Sequence, residues 1–258
     1  MNKVPPVTLN FWVTKICATT LGETAGDLLS MTLAVGYAAS STLLTVLLAA
    51  LLAAQLRAQE FRPARYWSVV LLTSTAGTTL SDFLNRTLAL GYARGALLLG
   101  VLLAATLLAW RVADGRIAVD RVSTRRTEIF YWAAILCSNT LGTSLGDYLA
   151  DDSGLGFLGS AALIGALILA LVAMRRLPRA NGVLLFWAAF VLTRPFGATF
   201  GDLLTKPAAQ GGLNLGTAGS SAVLLALLLA AIAWSNRGTP ATAAPQVAGG
   251  VRGHSGAG

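Results

Sequence analysis

Gly142-Thr143-Ser144-Leu145-Gly146-Asp147-Tyr148-Leu149 is one of four segments of this chain that align without a gap. The others are Gly22-Glu23-Thr24-Ala25-Gly26-Asp27-Leu28-Leu29, Gly77-Thr78-Thr79-Leu80-Ser81-Asp82-Phe83-Leu84 and Gly197-Ala198-Thr199-Phe200-Gly201-Asp202-Leu203-Leu204. A tryptophan stands ten residues before each first glycine (Trp12, Trp67, Trp132, Trp187), and a glycine nine residues after each aspartate (Gly36, Gly91, Gly156, Gly211). Successive copies are offset by 55, 65 and 55 residues, so ten extra residues separate two pairs of repeats. A repeat of this length is the signature of an architecture built from one supersecondary unit.

The medium around the repeats follows from composition. Of 258 residues 55% are hydrophobic and 12% charged, with a mean hydropathy of +0.67. A soluble domain carries about 25% charged residues, so a fully wetted surface is excluded. Two cysteines exclude a disulfide scaffold, and the apolar content excludes a disordered chain. Eight stretches near the roughly 20 residues that a membrane helix needs lie at about 8–29, 37–56, 66–85, 93–111, 128–149, 157–174, 183–204 and 216–234. The even-numbered spans are nearly pure Leu, Ala and Val; the odd-numbered ones carry the motif with its glycines, hydroxyls and acids.

The expected fold is therefore all-α and membrane-integral: eight helices as four parallel tandem hairpins, arranged with pseudo-fourfold or nested twofold symmetry. The expected units are repeat 1 at 4–58, repeat 2 at 59–113, a cytoplasmic linker at 114–123, repeat 3 at 124–178, repeat 4 at 179–236 and a disordered tail at 237–258. Of the 19 basic residues only Lys15, Arg86, Arg94, Arg194 and Lys206 fall outside the N-terminus, the even-to-odd loops and the tail. That bias predicts cytoplasmic termini and accounts for the +8 charge without nucleic acid. Lys15, Glu23 and Asp27 inside the first span are incompatible with a signal-peptide core, so that span is expected to be retained.

The motif puts two things on one helix. Gly22/Gly26, Gly77/Ser81, Gly142/Gly146 and Gly197/Gly201 are small-xxx-small pairs that let backbones approach closely. Beside them runs a polar stripe at i, i+4, i+8: Thr19-Glu23-Asp27, Ser74-Thr78-Asp82, Asn139-Thr143-Asp147 and Arg194-Ala198-Asp202. If the glycines draw the four helices together, the stripes converge on one axis. Five of the 11 acids lie there. With each tryptophan at one interface, the aspartates stand roughly 22 Å along the helix, in the outer half of a core about 30 Å thick. Intramembrane carboxylates are costly unless paired or hydrated, which makes them functional candidates.

The predicted ligand set is Glu23, Asp27, Asp82, Asn139, Asp147 and Asp202, with Thr19, Thr78, Thr143 and Arg194 in support. Arg86 and Lys206 lie four residues after Asp82 and Asp202, within ion-pair reach. Repeats 1 and 3 have Met31 and Asp151 there, so Glu23, Asp27, Asn139 and Asp147 are expected to be the working ligands. The same acids also fit interhelical hydrogen bonds that hold the repeats in register. Cys17 and Cys137 read as buried small residues, Lys15 as snorkelling to the interface, and the tryptophans as interface anchors.

The T-T-L-G-E-T-A-G-D-L type of segment (residues 19–28), with the P-x-V-T-L-x-F-W-x-x-K stretch from Pro5 to Lys15, resembles a poorly characterised family of bacterial multi-pass membrane-anchored proteins. The resemblance implies a bacterial cytoplasmic (inner) membrane location and carries over no substrate or catalytic residue. Arg194 and Ala198 depart from the other copies.

Hard oxygen ligands suit Mg²⁺, Ca²⁺ or Mn²⁺, so the leading expectation is a transporter or channel for a cation, most plausibly divalent. A proton-coupled carrier of a small organic solute, with Arg194 or Lys15 facing an anionic group, is the second. A membrane scaffold subunit is the third. No Ser/His or Cys/His constellation points to an enzyme, since the single histidine lies in the tail. The expected partners are lipid and a small cation or proton, with the oligomeric state left open.

Overall fold

A computed structural model of the chain describes residues 3–117, 122, 124–177 and 181–237. The expected tail beyond residue 237, and most of the second half of the linker, lie outside the described residues. The described residues form eight α-helices and no strand: α1 (Leu9–Asp27), α2 (Tyr37–Arg57), α3 (Pro63–Asp82), α4 (Tyr92–Asp114), α5 (Arg125–Asp147), α6 (Gly156–Met174), α7 (Gly182–Thr205) and α8 (Thr217–Arg237). Five of them, Tyr37–Arg57, Tyr92–Asp114, Gly156–Met174, Gly182–Thr205 and Thr217–Ser235, are long and apolar enough to cross a membrane.

The motif helices begin at one end of the bundle, each on a residue that suits a helix start. Thr8 and Thr124 accept from the amides of Phe11 and Thr127, and Asn181 accepts from Val183 and Leu184. Pro63 opens α3, where its missing N–H costs nothing. The four helices close a ring in which α1 packs on α3, α3 on α5, α5 on α7 and α7 on α1. The glycines make the ring this tight. A Cβ on Gly22 would meet Ser74, one on Gly77 the backbone at Asn139 and Thr140, one on Gly142 Arg194 and Pro195, and one on Gly197 Thr19 and Thr20. Each glycine therefore seats the first stripe residue of the next repeat. The second glycines repeat the pattern one turn on, Gly26 on Thr78, Gly146 on Ala198 and Gly201 on Glu23. Ser81 replaces the glycine in α3 and bonds Ser144 at 2.7 Å.

The apolar helices form an outer layer, shifted by one repeat. Helix α2 packs on α3, α4 on α5, α6 on α7 and α8 on α1. A repeat thus runs along its own motif helix and returns against its neighbour's, so no repeat buries its apolar face alone. The shift depends on a wide turn. After Asp27, Asp82 and Asp147 the chain makes one π-helical turn (Leu28–Thr32, Phe83–Thr87, Tyr148–Asp152). Residues with positive φ then redirect it: Ala34 and Gly36, Ala89 and Gly91, Gly154 and Gly156.

Repeat 4 differs here. Its positive-φ pair is Asn214 and Gly216, fourteen rather than nine residues after the aspartate. Gly216, not Gly211, is the counterpart of Gly36. Five extra residues replace the π-turn by a 3₁₀ turn, Ala208–Gln210, which Gly211 ends at φ 85°. The inner stripe of each outer helix confirms the shift: counted from Gly36, Gly91, Gly156 and Gly216, the fourth residues are Ser40, Gly95, Ser160 and Ser220, and the eighth are Leu44, Leu99, Ile164 and Leu224. All eight are buried. The other faces of these helices leave leucines and valines exposed, as lipid contact requires.

Candidate functional site

The ring stacks five layers of four equivalent residues along its axis. From the tryptophan end they are Phe11, Tyr66, Tyr131 and Phe186; Lys15, Val70, Ile135 and Phe190; Thr19, Ser74, Asn139 and Arg194; Glu23, Thr78, Thr143 and Ala198; and Asp27, Asp82, Asp147 and Asp202. The first layer belongs to an aromatic plug in which the Tyr66 and Tyr131 hydroxyls bond at 2.6 Å. Trp67, Trp132 and Trp187 are packed into that plug. They are core residues, a correction to their reading as interface anchors. Lys15 is 1% exposed with its Nζ 3.6 Å from the Phe190 ring centroid, so it does not snorkel.

The middle of the axis is closed by one side chain. Arg194, 0% exposed, crosses from α7 to all three other helices. Its Nη2 lies 2.8 Å from Glu23 Oε2 and donates to Thr78 Oγ1 at 2.6 Å and Thr143 Oγ1 at 2.7 Å. Thr78 Oγ1 lies 3.2 Å from the same Glu23 oxygen. Ala198, where the other copies carry Glu or Thr, adds no polar group to this layer. The sequence placed Arg194 on the stripe; the structure shows which acid it neutralises.

In the aspartate layer the expected pairs form, and the expected surplus charge holds for repeat 3 but not for repeat 1. Arg86 Nε lies 2.9 Å from Asp82 and Lys206 Nζ 3.2 Å from Asp202. Lys206 also reaches Asp27 at 2.5 Å, across the α7–α1 junction. Repeat 1 therefore carries no surplus charge, because both its acids are paired by repeat 4. Asp147 has no ion-pair partner among the described residues, and its Oδ2 accepts no hydrogen bond. With the Glu23–Arg194 pair of the adjoining layers, five carboxylates face three bases among the described residues.

Three of the six predicted ligands converge. Glu23, Asp147 and Asp202, all buried, each place one carboxylate oxygen within 4.8 Å of the others. Asp27 and Asp82 are turned to Lys206 and Arg86. Asn139 donates to Thr73 Oγ1 at 3.0 Å and serves the α3–α5 contact. Thr19 bonds back to Lys15 O and across to Thr193 O. Cys17 and Cys137 are free and half-buried. The cross-repeat reach of Lys206 was beyond sequence reasoning. The burial of Lys15 was not, since extending the four-residue stripe backwards from Thr19 lands on it.

Two oxygens on opposite sides of one Ca²⁺ stand about 4.6–5.2 Å apart, so the cluster matches the span of a single cation. Glu23 can serve both sides, since a carboxylate offers two oxygens and about four lone-pair directions.

No curated protein and no solved structure matches the chain. The family described as Repeat of Unknown Function (DUF347) does, four times, over residues 10–61, 65–116, 130–181 and 185–237. These matches cover most of the sequence and coincide with the four motif-helix and outer-helix pairs, and the chain belongs to this family.

Proposed function

We propose that this protein is a membrane transporter or channel for a small divalent cation (Mn²⁺, Mg²⁺ or Ca²⁺) that binds at Glu23, Asp147 and Asp202. The observation that carries this reading is the convergence of three buried carboxylates from three repeats, within 4.8 Å, where Glu23 and the four aspartates outnumber Arg194, Arg86 and Lys206 by two. A divalent ion supplies the two missing positive charges. The donors are oxygens throughout, which suits hard cations.

The layers around the cluster suit a transport cycle rather than catalysis. Toward the tryptophan end the axis is shut by Arg194–Glu23 and the aromatic plug. Toward the other end Lys206 and Arg86 stand beside the aspartates, and their side chains are 16% and 34% exposed. A cation arriving from that end reaches Asp202 and Asp147 first. Release on the far side requires Glu23 to leave Arg194. By the basic-residue bias the tryptophan end faces the cytoplasm of a bacterial inner membrane, with both termini on that side.

The test is flux. Protein in liposomes loaded with a divalent-cation indicator is expected to admit Mn²⁺ or Ca²⁺ faster than protein-free vesicles, and Asp147→Asn to abolish the difference. Equal rates with and without protein, together with no cation binding by the purified protein, contradict the reading.

A further inference from the structure

The cation proposal leaves one charge unused. Lys15 is buried on the axis, with no hydrogen-bond partner for Nζ. One layer on, the Nε and Nη1 of Arg194 also lack an acceptor, while Nη2 is turned toward Glu23. Phe190, under Lys15, and Arg194 are successive stripe residues of α7, about 6 Å apart along the helix. Two basic side chains therefore share the section of the axis between the aromatic plug and the Glu23 layer. No described carboxylate lies between them: on α1 Glu23 is eight residues beyond Lys15, roughly 12 Å along the helix, and is held by Arg194.

The magnitudes decide what this means. A cation over an aromatic face gains about 0.5–2 kcal/mol. Burying an isolated ammonium costs several kcal/mol even after relaxation. The Phe190 ring cannot offset that cost. An anion placed between Lys15 Nζ and the unpartnered Nε and Nη1 of Arg194 would, because charge-assisted hydrogen bonds are the strong ones.

We propose that Lys15 and Arg194 form a binding site for a compact monovalent anion, on the tryptophan side of the Arg194–Glu23 closure. The site shares Arg194 with the acid cluster but takes the guanidinium nitrogens that Glu23 leaves free, and its test is independent of cation transport. Its ligand chemistry is that of a halide or a small carboxylate. An anion bound there competes with Glu23 for Arg194, which gives the closure a way to loosen from this side.

The experiment measures thermal unfolding of the purified full-length protein in detergent at constant ionic strength, with bromide replacing gluconate. Wild type is expected to gain roughly 2–4 °C, saturably, at several times the dissociation constant. Lys15→Met is expected to lose that gain, and in gluconate to be no less stable than wild type. Acetate in place of bromide separates the sources: protection by bromide alone identifies a halide site, and protection by both a site for carboxylate-bearing solutes. No anion dependence in wild type, or the same gain in Lys15→Met, overturns the proposal. If Lys15→Met does not fold, anomalous scattering from a bromide-soaked wild-type crystal decides: a peak within hydrogen-bond reach of Lys15 Nζ supports the site, and its absence there overturns it.

Discussion

Repeats 2 and 4 stand opposite one another in the ring, and each places a base one turn beyond its aspartate, yet the two junctions they govern differ. At α7–α1, Lys206 joins Asp202 to Asp27 and both acids are paired. At α3–α5, Arg86 holds Asp82 alone and leaves Asp147 without a partner. The difference lies in what holds each base. The Arg86 guanidinium sits 5.9 Å from the Tyr37 ring centroid and 5.6 Å from that of Tyr92, the first residues of α2 and α4. The twofold counterparts of those tyrosines are Phe157 and Thr217. Arg86 thus rests on Asp82 between two aromatic rings, while Lys206 leans across its junction to Asp27. A near-symmetric frame has become asymmetric chemistry through a few side chains at the ends of the outer helices.

The largest expected effect concerns the residue that ties both halves together. Arg194→Leu leaves Glu23 buried without a cation, which costs about 3–5 kcal/mol in denaturant unfolding. Adding Glu23→Gln is expected to recover most of that loss. No recovery in the double variant would show that Arg194 acts through packing alone. A smaller loss tests whether the junctions are equally tight. Gly142→Ala forces a methyl into the Arg194 stem and Pro195, for roughly 1–3 kcal/mol of overpacking. Gly77→Ala meets only contacts of 3.0–3.1 Å and is expected to cost less in the same measurement.

Two further variants act on the comparison directly. Lys206→Met frees Asp27 and Asp202, so calorimetric titration is expected to show about tenfold tighter Mn²⁺ binding, on the order of one charge partner. Weaker binding would mean that Lys206 positions Asp202 rather than competing for it. The double change Tyr37→Leu and Tyr92→Leu removes the faces that hold Arg86, letting it swing to Asp147. Mn²⁺ affinity is then expected to fall a few-fold; an unchanged affinity would show that the tyrosines do not control Arg86.

Much of this frame is written locally in the chain. The G-x-[ST]-x-[GS]-D pattern encodes both the close helix approach and the polar stripe, because small residues and carboxylates recur at helical spacing. The ring of motif helices with a greasy outer layer follows from it. The one-repeat shift of the outer helices does not, because it depends on a π-turn and on Ala34 and Ala89 at positive φ, where alanine gives no local signal. The five-residue insertion in repeat 4 was hidden because Gly211 falls in register by coincidence while Gly216 does the structural work. In the site, the i,i+4 pairs of Asp82 and Asp202 were legible as helix-surface neighbours. That Lys206 takes Asp27 and Arg194 takes Glu23 depends on which helices adjoin in the ring, a tertiary fact. It is these cross-repeat pairs that single out Asp147.

The central claim is therefore that Asp147, with Glu23 and Asp202, is the free end of a cation site. The most direct measurement is Mn²⁺ binding to the purified protein by electron paramagnetic resonance, comparing wild type, Asp147→Asn and Asp82→Asn. The account predicts one bound Mn²⁺ in wild type, retained in Asp82→Asn and lost in Asp147→Asn. No bound Mn²⁺ in wild type, or equal loss in the two variants, would contradict it.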